Sequence, residues 1–234
     1  ISTCPSATAY EEVNKTTVAD AAMAVGDTVV TVSSATGISA GDIVNFGDQY
    51  EYRVISVSTN DLNIVRKEEP AYFGTSESSG LHQAPTNGAQ VRRRWKYYDL
   101  FNKAPGTSPA VSAKGGSGDE LHIVVIDEDG EITGTKGDVL ETFEAVSKAS
   151  DAKDAQGNVN YYPDVIYKSS NYIYWMDHNA GGSNWGSAAN GTTFTDVTAV
   201  SNVSLQSGSD GTTATTGQRK TAYEKFEDGE TVDV

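Results

Sequence analysis

Short runs of β-branched and aromatic residues, broken by Gly, Asp and Asn, fill the first part of the chain and predict strands. The runs are residues 28–33, 43–46, 49–57 and 62–66, and Gly37, Gly41, Gly47 and Asn60 punctuate them. Tyr50, Tyr52 and Val54 alternate, and Val57 falls out of step, as a β-bulge would make it. Val91-Arg92-Arg93-Arg94-Trp95 predicts a last strand. Short strands without a helical period predict a small barrel or sandwich. Residues 1–20 carry little periodicity and read as an extended lead-in, with Ala7, Tyr10 and Val13 available to pack on a neighbouring domain.

The pattern changes after residue 95. Residues 121–126 are an apolar, β-branched run and predict a buried strand. Asp127-Glu128-Asp129-Gly130 is turn chemistry, and residues 131–133 are expected to return as the second strand of a hairpin. Val139, Leu140, Phe143 and Val146 recur at helical spacing and predict a helix over residues 138–148. Thr135 stands before it as a loose cap, Asp138, Glu141 and Glu144 favour its start, and Lys148 favours its end. A shorter helix is predicted at 161–168, with Pro163 in its first turn, and a strand at 172–175. Residues 71–90 and 104–118 read as surface loops. From residue 177 to 218 the chain turns to Gly, Ser, Asn and Thr, with 193–200 a candidate strand and 206–218 exposed, before a last helix near 221–227.

The predicted class is therefore α+β. A small β-barrel-like module at 21–94 precedes an α/β domain at 95–234 with a mixed sheet and few helices, truncated at its C-terminal end. The lead-in at 1–20 is expected to pack on that second domain. The segment opening at Ile1 has no charged-then-apolar leader, and Thr231, Val232, Asp233 and Val234 look like a strand cut short, so the chain is expected to be part of a longer protein.

Charge narrows the function classes. Lysine and arginine total 17 against 32 acids, a formal charge of −15, which opposes binding to nucleic acid or anionic membrane. Apolar residues at 37%, with 12 Tyr and 3 Trp, argue for packed cores over acidic disorder. A lone Cys4 excludes an internal disulfide.

No constellation carries chemistry, and no catalytic, cofactor-binding or metal-binding residue is expected. His82, His122 and His178 share no ligand spacing, and His122 within a strand reads as a packed residue. Counting Asp127 as the first ligand of a calcium loop puts Ile132 where glycine is needed and Asp138 where a bidentate glutamate is needed, so a hairpin turn is the better reading. There is no nucleophile elbow and no phosphate-binding loop; Gly115-Gly116-Ser117-Gly118 leads into a strand, not from strand to helix. Arg92, Arg93 and Arg94 with Trp95, Tyr97 and Tyr98 have the residue types of a nucleic-acid strip, but in an acidic chain they are expected to pair with nearby carboxylates. Asn14, Asn190 and Asn202 head glycosylation-type triplets that have meaning only in a secreted chain.

The strings IVVID, DG, ITGT, VLETFEAVS, DAKDA, YY, VI and YIYW, in that order between Ile123 and Trp175, resemble the tail sheath protein of contractile-tailed bacteriophages. VSLQSGSDG from Val203 resembles that family's glycine-rich segment, and AYEKF from Ala222 with TVDV from Thr231 resembles its next helix and the start of its next strand. The likeness spans residues 95–234 and is poor over 1–94. It implies a non-enzymatic virion protein without cofactors, assembled in the host cytoplasm, that polymerises with copies of itself around the tail tube and contracts. It implies that contacts with the tube, the baseplate and the lattice come from segments outside these residues. The present region would then be outer and surface-exposed, monomeric when alone. A second expectation is an adhesin or carbohydrate-binding module using Trp185, Tyr72 and Phe73; a hydrolase is a third.

Overall fold

A computed structural model describes residues 1–67, 80–194, 197–206 and 213–224. The chain divides into two compact units, residues 1–203 and 204–234. In the first, the chain runs β1 (Ser2–Cys4), α1 (Ala7–Tyr10), β2 (Glu11–Thr17), β3 (Val29–Thr31), β4 (Ile43–Asn45), β5 (Tyr52–Ser58), β6 (Asp61–Arg66) and β7 (Gln90–Arg94). It continues through α2 (Pro109–Ser112), β8 (Glu120–Asp127), β9 (Asp138–Ser147), α3 (Tyr162–Ser169) and β10 (Ser201–Asn202). The second unit holds α4 (Thr216–Glu224), and its described residues are exposed.

The class is the α+β one that the pattern predicts. Six strands pair in the order β2-β7-β4-β5-β6-β3, and four in the order β10-β1-β8-β9. Among the described residues the ladders between strands are all antiparallel, so the mixed sheet expected within 95–234 is corrected. The six-stranded sheet curls until its edges touch at one bridge, Val18 with Val32, flanked by hydrogen bonds from Ala19 N to Thr31 O and from Ser33 N to Thr17 O. One bridge does not close a barrel. Its core gathers Val30, Val44, Phe46, Tyr52, Val54, Leu62, Ile64 and Val91. The bulge expected between Val54 and Val57 is present as a register shift between Val54 and Ser56.

The helix expected over 138–148 is instead β9, paired with β8. Helical spacing misleads here because the strand is bulged. Ile123 pairs with Phe143 but Leu121 with Val146, so three steps on β9 match two on β8. The extra residue resets the alternation and brings Phe143 and Val146 to the same buried face at a separation of three. Ala145, inside the bulge, has φ +49.

Residues 131–133 are turn, not strand. Asp127 organises them, its carboxylate accepting from the backbone of Gly130, Ile132 and Thr133 and from the Thr133 hydroxyl. Residues 172–175 form no strand either; Ser170 Oγ accepts from Tyr172 N and Ile173 N, and the segment has no ladder partner among the described residues. Thr193 makes a single bridge with Ser117 where a strand at 193–200 was a candidate.

The helix predicted at 161–168 forms as α3, with Pro163 in its first turn and Tyr162 and Ile166 buried. The expected last helix is α4, begun earlier than predicted. Thr215 and Gln218 form a reciprocal cap, Gln218 N to Thr215 Oγ1 at 3.2 Å and Thr215 N to Gln218 Oε1 at 2.8 Å. Residues 225–227 and the strand-like 231–234 lie outside the described residues, as does the 71–79 part of the loop expected at 71–90.

Residues 1–20 are not an irregular lead-in. Strand β1 sits inside the four-stranded sheet between β10 and β8, whereas β2 pairs with β7 in the other sheet. Ser6 caps the turn of helix between them through Ala9 N.

Gly116 has a steric reason. A Cβ there would lie 2.5 Å from Ala189 O and 2.8 Å from both Thr192 O and Val111 Cγ1. Gly116→Ala is expected to cost about 1–3 kcal/mol in denaturant unfolding. Gly106→Ala, whose Cβ would meet only Glu120 Oε2 at 3.8 Å, should stay within about 1 kcal/mol.

Candidate functional site

The densest polar chemistry lies where the loops before β8 and after β9 meet. Asp119 is fully buried and accepts from Ser108 N at 2.8 Å, Ser108 Oγ at 2.9 Å and Ser147 Oγ at 2.6 Å. Buried Lys148 donates from Nζ to Pro5 O at 2.7 Å and Gly118 O at 2.8 Å, and lies 5.2 Å over the Trp185 ring. Glu120 accepts from Lys103 Nζ and from Gly106 N. These groups spend their hydrogen bonds on tying loops to the sheet. Two serines share the Asp119 carboxylate with no imidazole bridging either pair, so the arrangement lacks the relay that activates a hydroxyl.

His122 is placed as a packing residue. Its ring lies parallel to Phe101 at 4.2 Å and 2°. Ala145 N donates to Nδ1 at 2.9 Å, which leaves Nε2 to carry the proton and donate to Lys103 O at 2.8 Å. Burial pulls its pKa down, partly offset by the bond to Lys103 and the charges of Glu144 and Glu120. Burial also pushes the Cys4 thiol up to about 12, so it is an inert core residue. His178 accepts or donates between Tyr162 Oη at 2.7 Å and Tyr161 Oη at 3.4 Å, and His82 stacks on Tyr50 at 4.1 Å. The three histidines stay apart, and no group of three metal-ligating side chains occurs among the described residues.

The arginine run pairs as the charge balance predicts. Arg92 and Arg94 reach Glu11, Arg94 also reaches Glu51, and buried Arg93 faces Glu12 and Asp42. Tyr98 lies under Arg94 and Lys67. Cations already matched by Glu11 and Glu12 on β2 and by Asp42 and Glu51 offer little to a phosphate. Burial lifts the Asp42 pKa to about 6 against the pull of Arg93. Asp127, the candidate calcium ligand, is saturated by its own turn, and those bonds hold its pKa down.

Two surface features were not legible in the sequence. The first is a ridge. Tyr167 on α3 is 75% exposed, and beyond the helix Tyr174 is 78% and Met176 87% exposed, with Tyr172 and Trp175 also open to solvent. Ile173 alone in 171–177 turns inward, and Trp175 is fixed by its Nε1–H bond to Tyr162 Oη at 3.0 Å. The second is a cleft of about 290 Å³ lined by Pro5, Ala7, Pro105, Gly106, Glu120 and Phe194 among others. Trp185, expected as an exposed binding aromatic, is buried against Tyr162, and Tyr72 and Phe73 lie outside the described residues. No helix among the described residues is long and apolar enough to cross a membrane.

Comparison with known proteins gives no further guide: no family model, curated protein or solved structure matches the chain.

Proposed function

We propose that the chain is a part of a contractile tail sheath subunit, a structural virion protein. The ordered series of strings from Ile123 to Trp175 carries the reading. Its elements, β8, β9 and α3, pack around one core of Leu121, Ile123, Phe143, Val146, Tyr162, Ile166 and Trp185. The buried polar groups of that region bind backbone and each other, which suits a body that transmits force rather than one that turns over a substrate. In a sheath the work comes from two subunit packings that differ in contact free energy, so each subunit body must stay rigid while its contacts change. Copies of the subunit, the tail tube and the baseplate are the partners of the whole protein; no cofactor or nucleic acid takes part.

Copy number tests this reading. In virions from the host that produces the chain, quantitative mass spectrometry of its peptides is expected to give an abundance matching the tail-tube protein. A few copies per particle would instead favour the second reading, an adhesin or carbohydrate-binding module, for which the exposed Tyr172, Tyr174 and Trp175 speak.

A further inference from the structure

We infer that Tyr162, Trp175 and His178 form an acid-sensitive latch, which holds residues 174–178 against α3 while His178 is neutral and lets them go when it takes up a proton. The inference does not depend on the sheath reading. It starts from the direction of three hydrogen bonds. The Trp175 indole nitrogen can only donate, so its bond at 3.0 Å makes the Tyr162 hydroxyl oxygen an acceptor. The hydroxyl proton then goes to its other partner among the described residues, His178 Nδ1 at 2.7 Å. Nδ1 is therefore the nitrogen with the lone pair. Nε2 carries the proton and faces Tyr161 Oη at 3.4 Å.

A second proton on the ring turns both nitrogens into donors, and Nδ1–H then opposes the Tyr162 O–H. The phenol cannot adapt by ionising, because burial pushes its pKa up to about 12. Its oxygen can accept from both rings, but the O–H of a buried residue is then left without an acceptor among the described residues. The imidazolium leaves instead, towards solvent and the Asp177 carboxylate beside it. The charges around the site are Asp177, which acts on Tyr162, Asp164 on α3, which acts on Tyr161, and Lys148 over the Trp185 ring. The two acids favour the proton and Lys148 opposes it. Gly186, packed against Nε2, brings no charge.

The latch has a defined reach. Up to residue 173 the segment is anchored by buried Ile173 and by Ser170 Oγ, which accepts from Tyr172 N and Ile173 N. Beyond it, Tyr174 and Met176 are exposed, and the side chains of Trp175 and His178 share one hydroxyl. Opening thus changes how Tyr174 and Met176 are presented to solvent.

Hydrogen exchange of the tryptophan indole N–H groups, read by NMR at about pH 8 and about pH 5, tests the latch across the interval in which imidazole changes charge. His178→Gln is the comparison, since its amide oxygen can accept from Tyr162 and does not titrate. At the higher pH the two proteins should exchange Trp175 alike. At the lower pH wild type should exchange it about tenfold faster than the variant. Trp95, whose indole donates to Ser2 Oγ at 3.0 Å, should exchange alike in both, which separates the latch from a general opening in acid. Tyr162→Phe removes the shared hydroxyl and serves as a second variant: Trp175 should exchange fast at both pH values, with no acid step. Equal Trp175 rates in wild type and His178→Gln at the lower pH would overturn the latch. So would a rise in wild type that Trp95 shares, because the whole unit would then be opening.

Discussion

Phe143→Ala is expected to lower the unfolding free energy of residues 1–203 by roughly 3–5 kcal/mol, the usual range for deleting a buried phenylalanine. Phe143 is buried on β9 opposite Ile123, in the core that also holds Val146, Tyr162 and Ile166. The bulge beside it limits collapse into the space left behind, because Ala145 is tied to His122 and Asn160. Asp129→Ala is the control. Asp129 is exposed in the turn and accepts one bond, from Glu131 N at 3.2 Å, so its loss should cost under about 1 kcal/mol. Equal shifts in denaturant midpoint for the two would contradict the core described above.

Acid is expected to act on the same unit through His122. Its neutral ring is required, since protonation would set an Nδ1–H against the Ala145 N–H that now donates to it. Its pKa is lowered in the fold, so its contribution is fully present above the unfolded value near 6.5. That contribution is lost as pH falls through 6.5 towards the lower folded value, because the unfolded chain takes up the proton first. Asp42 works in the opposite direction. Its folded pKa near 6 lies above the ordinary value of 3.8, so its contribution is present in acid and lost as pH rises through about 6. Glu120, Glu144 and Lys103 face His122 and set the local field. Against wild type, His122→Gln should be less stable at neutral pH and lose less stability between pH 6.5 and 5. Parallel stability curves for the two proteins across that interval would show that His122 does not titrate as its geometry requires. Trp95, stacked on Phe101 and thereby near His122, offers a fluorescence signal for the unfolding.

Local chemistry explains which parts of this fold could be read in advance. Strands β3 to β6 were legible as short runs with β-branched and aromatic residues set between Gly, Asp or Asn turns. Helix α3 was legible through Pro163 and the spacing of Tyr162 and Ile166. Strand β9 was not, since a bulge makes buried positions fall three apart, and no local signal separates that from a helix. Strand β1 is three residues long and owes its form to the partners on either side, both distant in sequence. The arginine pairing followed from charge balance alone. The ridge and cleft did not, because exposure of Tyr174 and burial of Trp185 depend on which aromatic the α3 core absorbs.

We propose that this chain belongs to the shaft of a contractile tail. Immunogold electron microscopy of the particles, with antibody raised against residues 1–203, tests it most directly. The account calls for regular decoration along the whole shaft, both before and after contraction. Label confined to fibre tips, the capsid or the host surface, with a bare shaft, would contradict it.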